Sequence, residues 1–153
     1  MRITEILAEE RVIPALAGSD RASALAEMAT VLARPTRLPP KTIASALEQR
    51  ERAGSTGIGA GIAIPHAKVP GLTSVHGCFA RSVSGVEFRA SDGNPVFLFI
   101  TLLAPEGQAA LHLKALARAS RLLQERAFRE EARAADEAEL WRLIALRDQG
   151  LPP

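Results

Sequence analysis

The sequence predicts an α/β fold: a three-layer α/β/α sandwich with a single mixed β-sheet flanked by helices. Helical periodicity occupies both ends of the chain, whereas short apolar segments typical of strands fill the middle third. Helices at both ends of a strand-rich middle favour one sheet covered on both faces. Residues 96–103 also lack polar alternation, which is typical of a central strand buried on both faces.

Length and composition limit the class of protein. The chain has 153 residues, of which 47% are hydrophobic and 24% are charged. This suits one domain, expected over residues 1–150 with a frayed tail at 151–153, and excludes a disordered chain. The longest apolar run, residues 96–104, is shorter than the roughly 20 residues that a membrane helix needs. A single cysteine, Cys78, and an acidic N-terminus without the apolar segment of a signal peptide predict a soluble cytoplasmic protein.

The charges favour solvated helix faces over a nucleic-acid surface. The net charge is +2, and the cations, nearly all arginines, are interleaved with acids. Nucleic-acid binders cluster their cations and offer aromatic stacking surfaces, whereas this chain has no tyrosine, five phenylalanines and one tryptophan. We therefore expect no nucleic-acid partner and no membrane insertion.

Local signals define the elements of the first third. Residues 11–16 form a short segment whose composition favours a β-strand. Residues 19–20 offer an N-cap for a helix that residues 34–35, an Arg-Pro pair, are expected to end. The Pro-Pro pair at 39–40 opens a second helix, because proline suits the first helical turn, and Gly54 stops it.

The middle third reads as strands. Residues 62–64 are a short apolar segment and residues 75–83 a strand. Val86 and Phe88 alternate with polar neighbours and suggest a further strand, followed by a turn at residues 92–95.

The last third is predicted to be helical. Residues 109–123 place His112 on an apolar face. The opposite, solvated face carries Lys114, Arg118, Arg121 and Glu125. Asp136 and Glu139 resemble a capping box for a last helix, and Gly150 suits its C-terminal cap.

A glycine-rich loop precedes the first histidine of the chain. Residues 54–66 read GSTGIGAGIAIPH. Glycines let a backbone approach a ligand closely and point N–H groups at it, and Ser55 and Thr56 add hydroxyl donors, so these are the parts of an anion cradle. A flexible or tightly turned loop explains the same glycines. The G-x-G-x-G spacing does not fit the dinucleotide fingerprint, and the chain has no Walker A, G-x-S-x-G or H-E-x-x-H motif.

Histidines are the candidate reactive groups. His66 follows a proline that stiffens the backbone, and a neutral imidazole beside N–H and hydroxyl donors suits phosphoryl transfer. The alternative is a histidine that merely ends a strand. His112 alone would be a core residue, but beside His66 it would orient the ring or share its proton. His76 has no evident partner, so we expect it to have a structural role. We expect Cys78 to act as a small apolar residue. The histidine spacings match no compact zinc pattern, so we expect no metal ion and no cofactor.

The segment GSTGIGAGIAIPHAK, residues 54–68, resembles the phosphorylation-site signature of the fructose/mannitol-type (type-2) enzyme IIA domains of the bacterial phosphotransferase system (PTS), especially their nitrogen-regulatory branch. The similarity continues through NPVFLFITLLAP at residues 94–105 and through His112, and covers essentially the whole chain. The resemblance implies the sandwich fold with helices on both faces of a mixed sheet.

The resemblance also implies roles for individual residues. His66 would accept a phosphoryl group from a phosphohistidine on an HPr-like carrier, and His112 would be the second active-site histidine. The phosphate would be bound by Arg50 and by the loop residues Ser55, Thr56 and Gly57. Lys114 departs from the pattern, because close relatives often carry a further histidine there.

Three functions remain open. The first is a regulatory phosphoprotein whose phosphorylation state controls partners such as potassium transport systems or sensor kinases. The second is a sugar-transport enzyme IIA that relays phosphate to a separate IIB component. The third is a non-catalytic anion-sensing module, which would not need a nucleophile. A transient encounter with a carrier calls for His66 at the bottom of a shallow, mainly apolar depression with a charged rim.

Overall fold

The computed structural model describes residues 1–153. Five α-helices are present, at Arg21–Thr36 (α1), Pro40–Arg52 (α2), Ala109–Gln124 (α3), Arg126–Ala134 (α4) and Glu137–Gly150 (α5). Six strands are present, at Val12–Ile13 (β1), Gly57–Gly59 (β2), Ile62–Ala63 (β3), His66–Val69 (β4), His76–Val86 (β5) and Val96–Pro105 (β6). Two short 3-10 turns, Ile3–Glu5 and Glu9–Arg11, precede β1. None of the five helices combines the length and the apolar content that a membrane span requires.

All six strands form one mixed sheet, as predicted. Its order is β1-β5-β6-β3-β2, and β4 pairs with β6 beyond the end of β3. β6 is antiparallel to β5 and parallel to β3 and β4. No strand pairs with the other edge of β4, so the sheet has an open edge there.

Two apolar cores cover the two faces of the sheet, which confirms the predicted sandwich. Alternate β6 residues serve the two cores: Leu98 and Ile100 pack with residues of α3, α4 and α5, whereas Phe99 and Leu103 pack with residues of α1 and α2. The absence of polar alternation in β6 therefore follows from burial on both sides. Cys78 is buried in the second core, as predicted, and burial raises the pKa of its thiol to about 12.

The helix starts agree with the sequence signals, and one helix end does not. Asp20 caps α1 by accepting the Ser23 N–H at 2.8 Å, and Pro40 begins α2. The expected end of α1 at residues 34–35 is wrong, because Pro35 lies inside the last turn. Its missing N–H removes one helical bond only, and the left-handed Arg37 closes the helix by donating its N–H to the Ala33 carbonyl.

Two strand predictions need correction. The further strand expected at Val86 and Phe88 does not exist: β5 continues through Val86, with a shift of register between Arg81 and Val86, and Phe88 lies beyond it. Gly85 lies at this irregularity with a φ of 96°, a conformation that favours glycine. The short strand β4, which starts at His66, was not predicted.

The C-terminal helices also differ in detail from the prediction. α4 was not predicted as a separate helix, although its Phe128 is buried and packs edge-on against Phe79. α5 starts after Asp136 as expected, but the capping box is wrong, because the Asp136 side chain makes no cap hydrogen bond.

Arg118 corrects the prediction of a solvated α3 face. It is 5% exposed and its Nε atom lies 2.6 Å from Asp148 Oδ1, while Asp148 Oδ2 accepts the Ile3 N–H at 2.8 Å. Arg118 also donates to the Pro152 carbonyl, and Leu151 is buried. Leu151 and the Pro152 carbonyl therefore contact the fold, while the side chains of Pro152 and Pro153 are exposed, and the fraying expected for residues 151–153 stays a prediction.

Replacing Arg118 is expected to destabilise the fold strongly. Arg118→Ala leaves the Asp148 carboxylate buried without its charge partner, which should lower the free energy of unfolding by about 3–5 kcal/mol. Urea denaturation measures the change. The matched control is Arg142→Ala, whose ion pair with Glu139 is exposed and should contribute at most about 0.5 kcal/mol. Equal losses in the two variants would contradict the assignment.

Candidate functional site

His66 lies directly after an interruption in the strand path along β6. Ile62 pairs with Leu98 and His66 with Leu102, so β3 and β4 keep one register on either side of the break. Pro65 lies in the break: it has no N–H to donate, but its carbonyl accepts the Leu102 N–H at 2.9 Å. The first residue of β4 is therefore held in register with the sheet while its outer edge stays open.

The hydrogen bonds of the His66 ring define its tautomer. Nδ1 lies 2.8 Å from the Ile64 carbonyl oxygen, which can only accept, so Nδ1 carries the proton. Nε2 therefore keeps its lone pair, and it accepts a hydrogen bond from Arg50 Nε at 3.2 Å. A neutral imidazole with an unprotonated Nε2 is a nucleophile once Arg50 releases its lone pair.

Arg50 reaches His66 from the last turn of α2. Its terminal NH1 donates to the Gly54 carbonyl at 2.9 Å, which fixes the guanidinium between the glycine-rich loop and the imidazole. Arg50 therefore contacts His66 directly, and its predicted binding of the phosphate stays a prediction. The remaining N–H donors of the guanidinium are available to an anion bound at Nε2.

His112, in the first turn of α3, completes the imidazole pair. Its ring centroid lies 5.3 Å from that of His66, with the two rings 69° apart in an edge-on arrangement. His112 is 6% exposed, and its buried Nδ1 has no hydrogen-bond partner within the chain. The structure therefore brings together His66 and His112, while His76 lies on β5, on the other side of β6.

Burial keeps both imidazoles neutral. It lowers the pKa of His66 below the ordinary 6.5, and the positive charge of Arg50 lowers it further, against the opposing effect of the Ile64 hydrogen bond. Burial also lowers the pKa of His112, helped by His66, Lys68 and Arg50. At neutral pH the site therefore holds two uncharged rings beside the basic side chains of Arg50 and Lys68.

The site opens into a depression of about 520 Å³ between α2, β4 and α3. Its apolar lining comes from Ala46, Ala67, Leu113 and Leu116. Arg50 and Lys68 supply the charges, and Leu113 is 65% exposed. This agrees with the expected apolar depression with charged residues. Lys114 lies outside it.

The glycine-rich loop is tied to α2 by a buried carboxylate. Glu51 is 2% exposed and accepts both the Thr56 N–H, at 3.1 Å, and the Thr56 hydroxyl. Gly57 packs so closely that a Cβ there would lie 2.8 Å from that of Ala90, and its N–H donates to the Ser55 hydroxyl at 3.0 Å. The Thr56 hydroxyl and the Gly57 N–H already donate within the protein, so phosphate binding by these two groups would require the loop to rearrange, whereas the Ser55 hydroxyl only accepts a bond. Phosphate binding by Ser55, Thr56 and Gly57 stays a prediction.

Two neighbours of the site were not identified from the sequence. Lys68 lies two residues after His66 on β4 and therefore points to the same side; reading residues 66–69 as a strand would have found it. Nothing in the sequence indicates that Glu51 belongs to the site, because a carboxylate next to Arg50 in the last turn of a helix is expected to be exposed to solvent.

The family follows from comparison of the sequence with known families. The model described as "Phosphoenolpyruvate-dependent sugar phosphotransferase system, EIIA 2" matches residues 5–146. The chain belongs to this family. The resemblance seen in residues 54–68 is therefore confirmed at the level of the family.

Individual relatives and solved structures support the same family assignment. The chain is 42% identical to a nitrogen regulatory protein of Bradyrhizobium diazoefficiens over 95% of its own length and 96% of the relative's. A fructose-specific EIIABC component of Bacillus subtilis is 36% identical over 86% of this chain, which covers 21% of that protein. The crystal structure of nitrogen regulatory protein IIA-Ntr from Neisseria meningitidis has a TM-score of 0.86 at 30% identity, covering 93% of this chain and 98% of that one. The IIA mannitol structure from Escherichia coli shares the fold, with a TM-score of 0.75 at 19% identity over 90% and 98% of the two chains.

The electrostatics of the site predict its titration. In an NMR pH titration, His66 and His112 should both titrate below 6.5. Arg50→Gln should raise the pKa of both, because it removes a nearby positive charge, and should leave His76 unmoved as an internal control, since its pKa is lowered by burial and by Arg11. An unchanged His66 pKa in Arg50→Gln would show that the contact does not form in solution.

The lowered pKa values of the two histidines also predict how the free energy of unfolding depends on pH. A histidine whose folded pKa lies below 6.5 adds stability that is present above 6.5 and is lost as the pH falls through the folded pKa. The wild-type protein should therefore lose stability as the pH falls below about 6.5, and His66→Ala should lose less over the same interval.

Proposed function

We propose that the protein accepts a phosphoryl group on His66 Nε2 from an HPr-like phosphocarrier and controls partner proteins by its phosphorylation state, as the regulatory enzyme IIA of a nitrogen-related PTS. The observation that carries the proposal is the tautomer of His66: Nδ1 is held by Ile64, and Nε2 presents its lone pair toward Arg50. Relatives named nitrogen regulatory protein that match along nearly their full length support the regulatory branch.

The transfer conserves protons on this chain. Arg50 Nε–H first releases the Nε2 lone pair, which attacks the phosphorus, while the N–P bond of the carrier's phosphohistidine breaks and its electron pair returns to the carrier's ring nitrogen. The Nδ1 proton of His66 stays in its hydrogen bond with Ile64, so no general base is needed. Positioning and charge stabilisation then supply the catalysis, as is usual for phosphoryl transfer.

Arg50 and His112 would stabilise the transferred group. The Arg50 guanidinium lies against Nε2 in the resting state, and its remaining donors can move onto phosphoryl oxygens as charge builds up. The His112 side chain makes no hydrogen bond within the chain, so a ring N–H is available to a phosphoryl oxygen. Lys68, exposed on the same side of β4, adds a second positive charge.

The open depression suits a transient partner. Exposed Leu113 and the alanine-lined wall offer a small apolar contact, and the cations at its edge suit an acidic or phosphorylated partner surface. A phosphoryl group on His66 would place a charge of about −2 in that contact. The same surface can therefore accept the phosphoryl group and change its affinity for partner proteins once it is phosphorylated.

A sugar-relay role is the second candidate. The fructose-specific relative favours it. The solved complex of enzyme IIA mannitol with phosphorylated enzyme IIB mannitol shows a IIB partner for a protein of the same fold. Relay and regulation would use the same acceptor and the same surface, and differ only in whether a IIB component takes the group onward. An anion-sensing module is less supported, because it would not need a free Nε2 lone pair.

Phosphorylation should add one phosphoryl group, at His66. Incubation with phosphoenolpyruvate, enzyme I and an HPr-like carrier, followed by intact mass, should show complete labelling of the wild type and of His76→Ala. His66→Ala should stay folded and accept nothing. Arg50→Gln should slow labelling by about 10² to 10³-fold, the usual loss for one transition-state donor. Undiminished labelling of His66→Ala would remove the basis of the proposal.

Partner binding should depend on the phosphorylation state. The unphosphorylated wild type, its phosphorylated form, His66→Ala and His66→Asp should retrieve different sets or amounts of partners from cell extract, because charge in an apolar contact costs desolvation. Potassium transport systems and sensor kinases are the expected targets. Equal retrieval by all four forms, together with rapid transfer to a purified IIB component, would favour the sugar relay instead.

A further inference from the structure

An arginine-lined groove lies toward the opposite end of β6 from His66. We call it the α4 groove; its lining includes Arg126, Arg129 and Arg133 on α4, Ser82 and Val83 on β5, and Ala60 in the β2–β3 turn. Its volume is about 490 Å³. Arg133 stacks on Phe97, which precedes Leu102, the strand partner of His66, by five residues, or about 17 Å along a strand.

The three groove arginines share one side of α4. Their spacing of three and four residues brings them together on the helix surface. The lining contains a single carboxylate, that of Glu130, which pairs with Arg126 at 3.0 Å. Both members of that pair are largely exposed, so water and salt screen it and the groove keeps an excess of positive charge.

Arg129 and Arg133 are held in place without carboxylate partners. The Arg133 guanidinium carbon lies 3.6 Å from the centroid of the Phe97 ring. Arg129 donates through NH1 to the Gln124 carbonyl at 2.6 Å and to the Leu123 carbonyl at 3.2 Å. Neither makes an ion pair, and each keeps N–H donors free, so an anion would meet donors that are already ordered.

A buried cation adds to this charge. Arg81, 6% exposed, donates to the Pro14 carbonyl at 2.9 Å and to the Ala132 and Ala135 carbonyls at 2.9 and 2.5 Å. Its partners are carbonyls alone, so no carboxylate cancels its charge. Arg81 also fastens the C-terminal end of α4 to β5, next to the groove residue Ser82, and thereby keeps the groove in shape.

We propose that the α4 groove binds a small organic phosphate that carries at least two negative charges. Several ordered guanidinium groups match phosphate oxygens in geometry and charge. The Val83 side chain, 74% exposed, and the alanines of the lining offer an apolar wall for the organic part of the ligand. A concave site of this volume is in the range of small-molecule sites, and a groove between a helix and a tight turn favours a small molecule over a protein surface.

Two variants of Val83 that differ from each other only in charge test the site. Isothermal titration calorimetry at low salt with ADP as the probe should detect binding to the wild type. Val83→Asp should weaken it by about tenfold or more relative to Val83→Asn, the uncharged isostere of Asp, because both variants lose the apolar contact and only Val83→Asp adds a negative charge. Val83 is exposed, so neither variant should unfold the chain. Arg129→Gln/Arg133→Gln should also lose binding, with thermal melting as a check on folding and Arg142→Gln as the matched control.

Additional variants and probe ligands show whether ADP binds in the α4 groove. His66→Ala should bind ADP unchanged, and the groove variants should still accept a phosphoryl group on His66, so this proposal and the phosphoryl-acceptor proposal can fail separately. Absence of ADP binding to the wild type, equal binding by Val83→Asp and Val83→Asn, or loss of binding in His66→Ala would overturn the site. Pyrophosphate binding as tightly as ADP would overturn the role of the apolar wall. Binding of a short polyglutamate peptide without ADP would overturn the proposal in favour of an acidic protein segment.

Discussion

Strand β6 has to satisfy two constraints at once: strands pair with both of its edges, and apolar layers cover both of its faces. Every residue from Leu98 to Ala104 is buried, so the strand cannot shift by one position without exchanging the two cores. That fixed register decides where His66 lies, because β4 is aligned on the second half of β6. It also decides where Phe97 presents its ring to Arg133 at the first half. One rigid strand therefore spaces the acceptor histidine and the α4 groove.

Local chemistry accounts for most of the fold, and long-range pairing accounts for what the sequence did not reveal. Asp20 and Pro40 mark helix starts through bonds or dihedral angles within a few residues, so their positions were predictable. Arg118 was read as solvated because its spacing on α3 fits a charged face; its partner Asp148 lies 30 residues away, and no local pattern connects them. α4 was missed since it is a short helix dominated by charges, with Phe128 as its main buried anchor.

The site was predictable in its identity and less so in its contacts. The glycine loop running into Pro65 and His66 marks the position, and similarity to a family pairs it with His112, which helical periodicity alone assigns to the core. The direction of each hydrogen bond depends on tertiary placement. Nothing in the sequence indicates that the Thr56 hydroxyl turns toward Glu51, because the loop glycines allow either orientation.

The contacts of Asp148 place the two chain ends together. Its carboxylate binds the backbone of Ile3, and its charge partner Arg118 binds the carbonyl of Pro152. A segment fused at either end would leave the domain from nearly the same spot, on the side of the sheet covered by α3 and α5. The fold is therefore a natural candidate for circular permutation: a short linker could join the present ends, and new ones could open in an exposed turn such as residues 92–94.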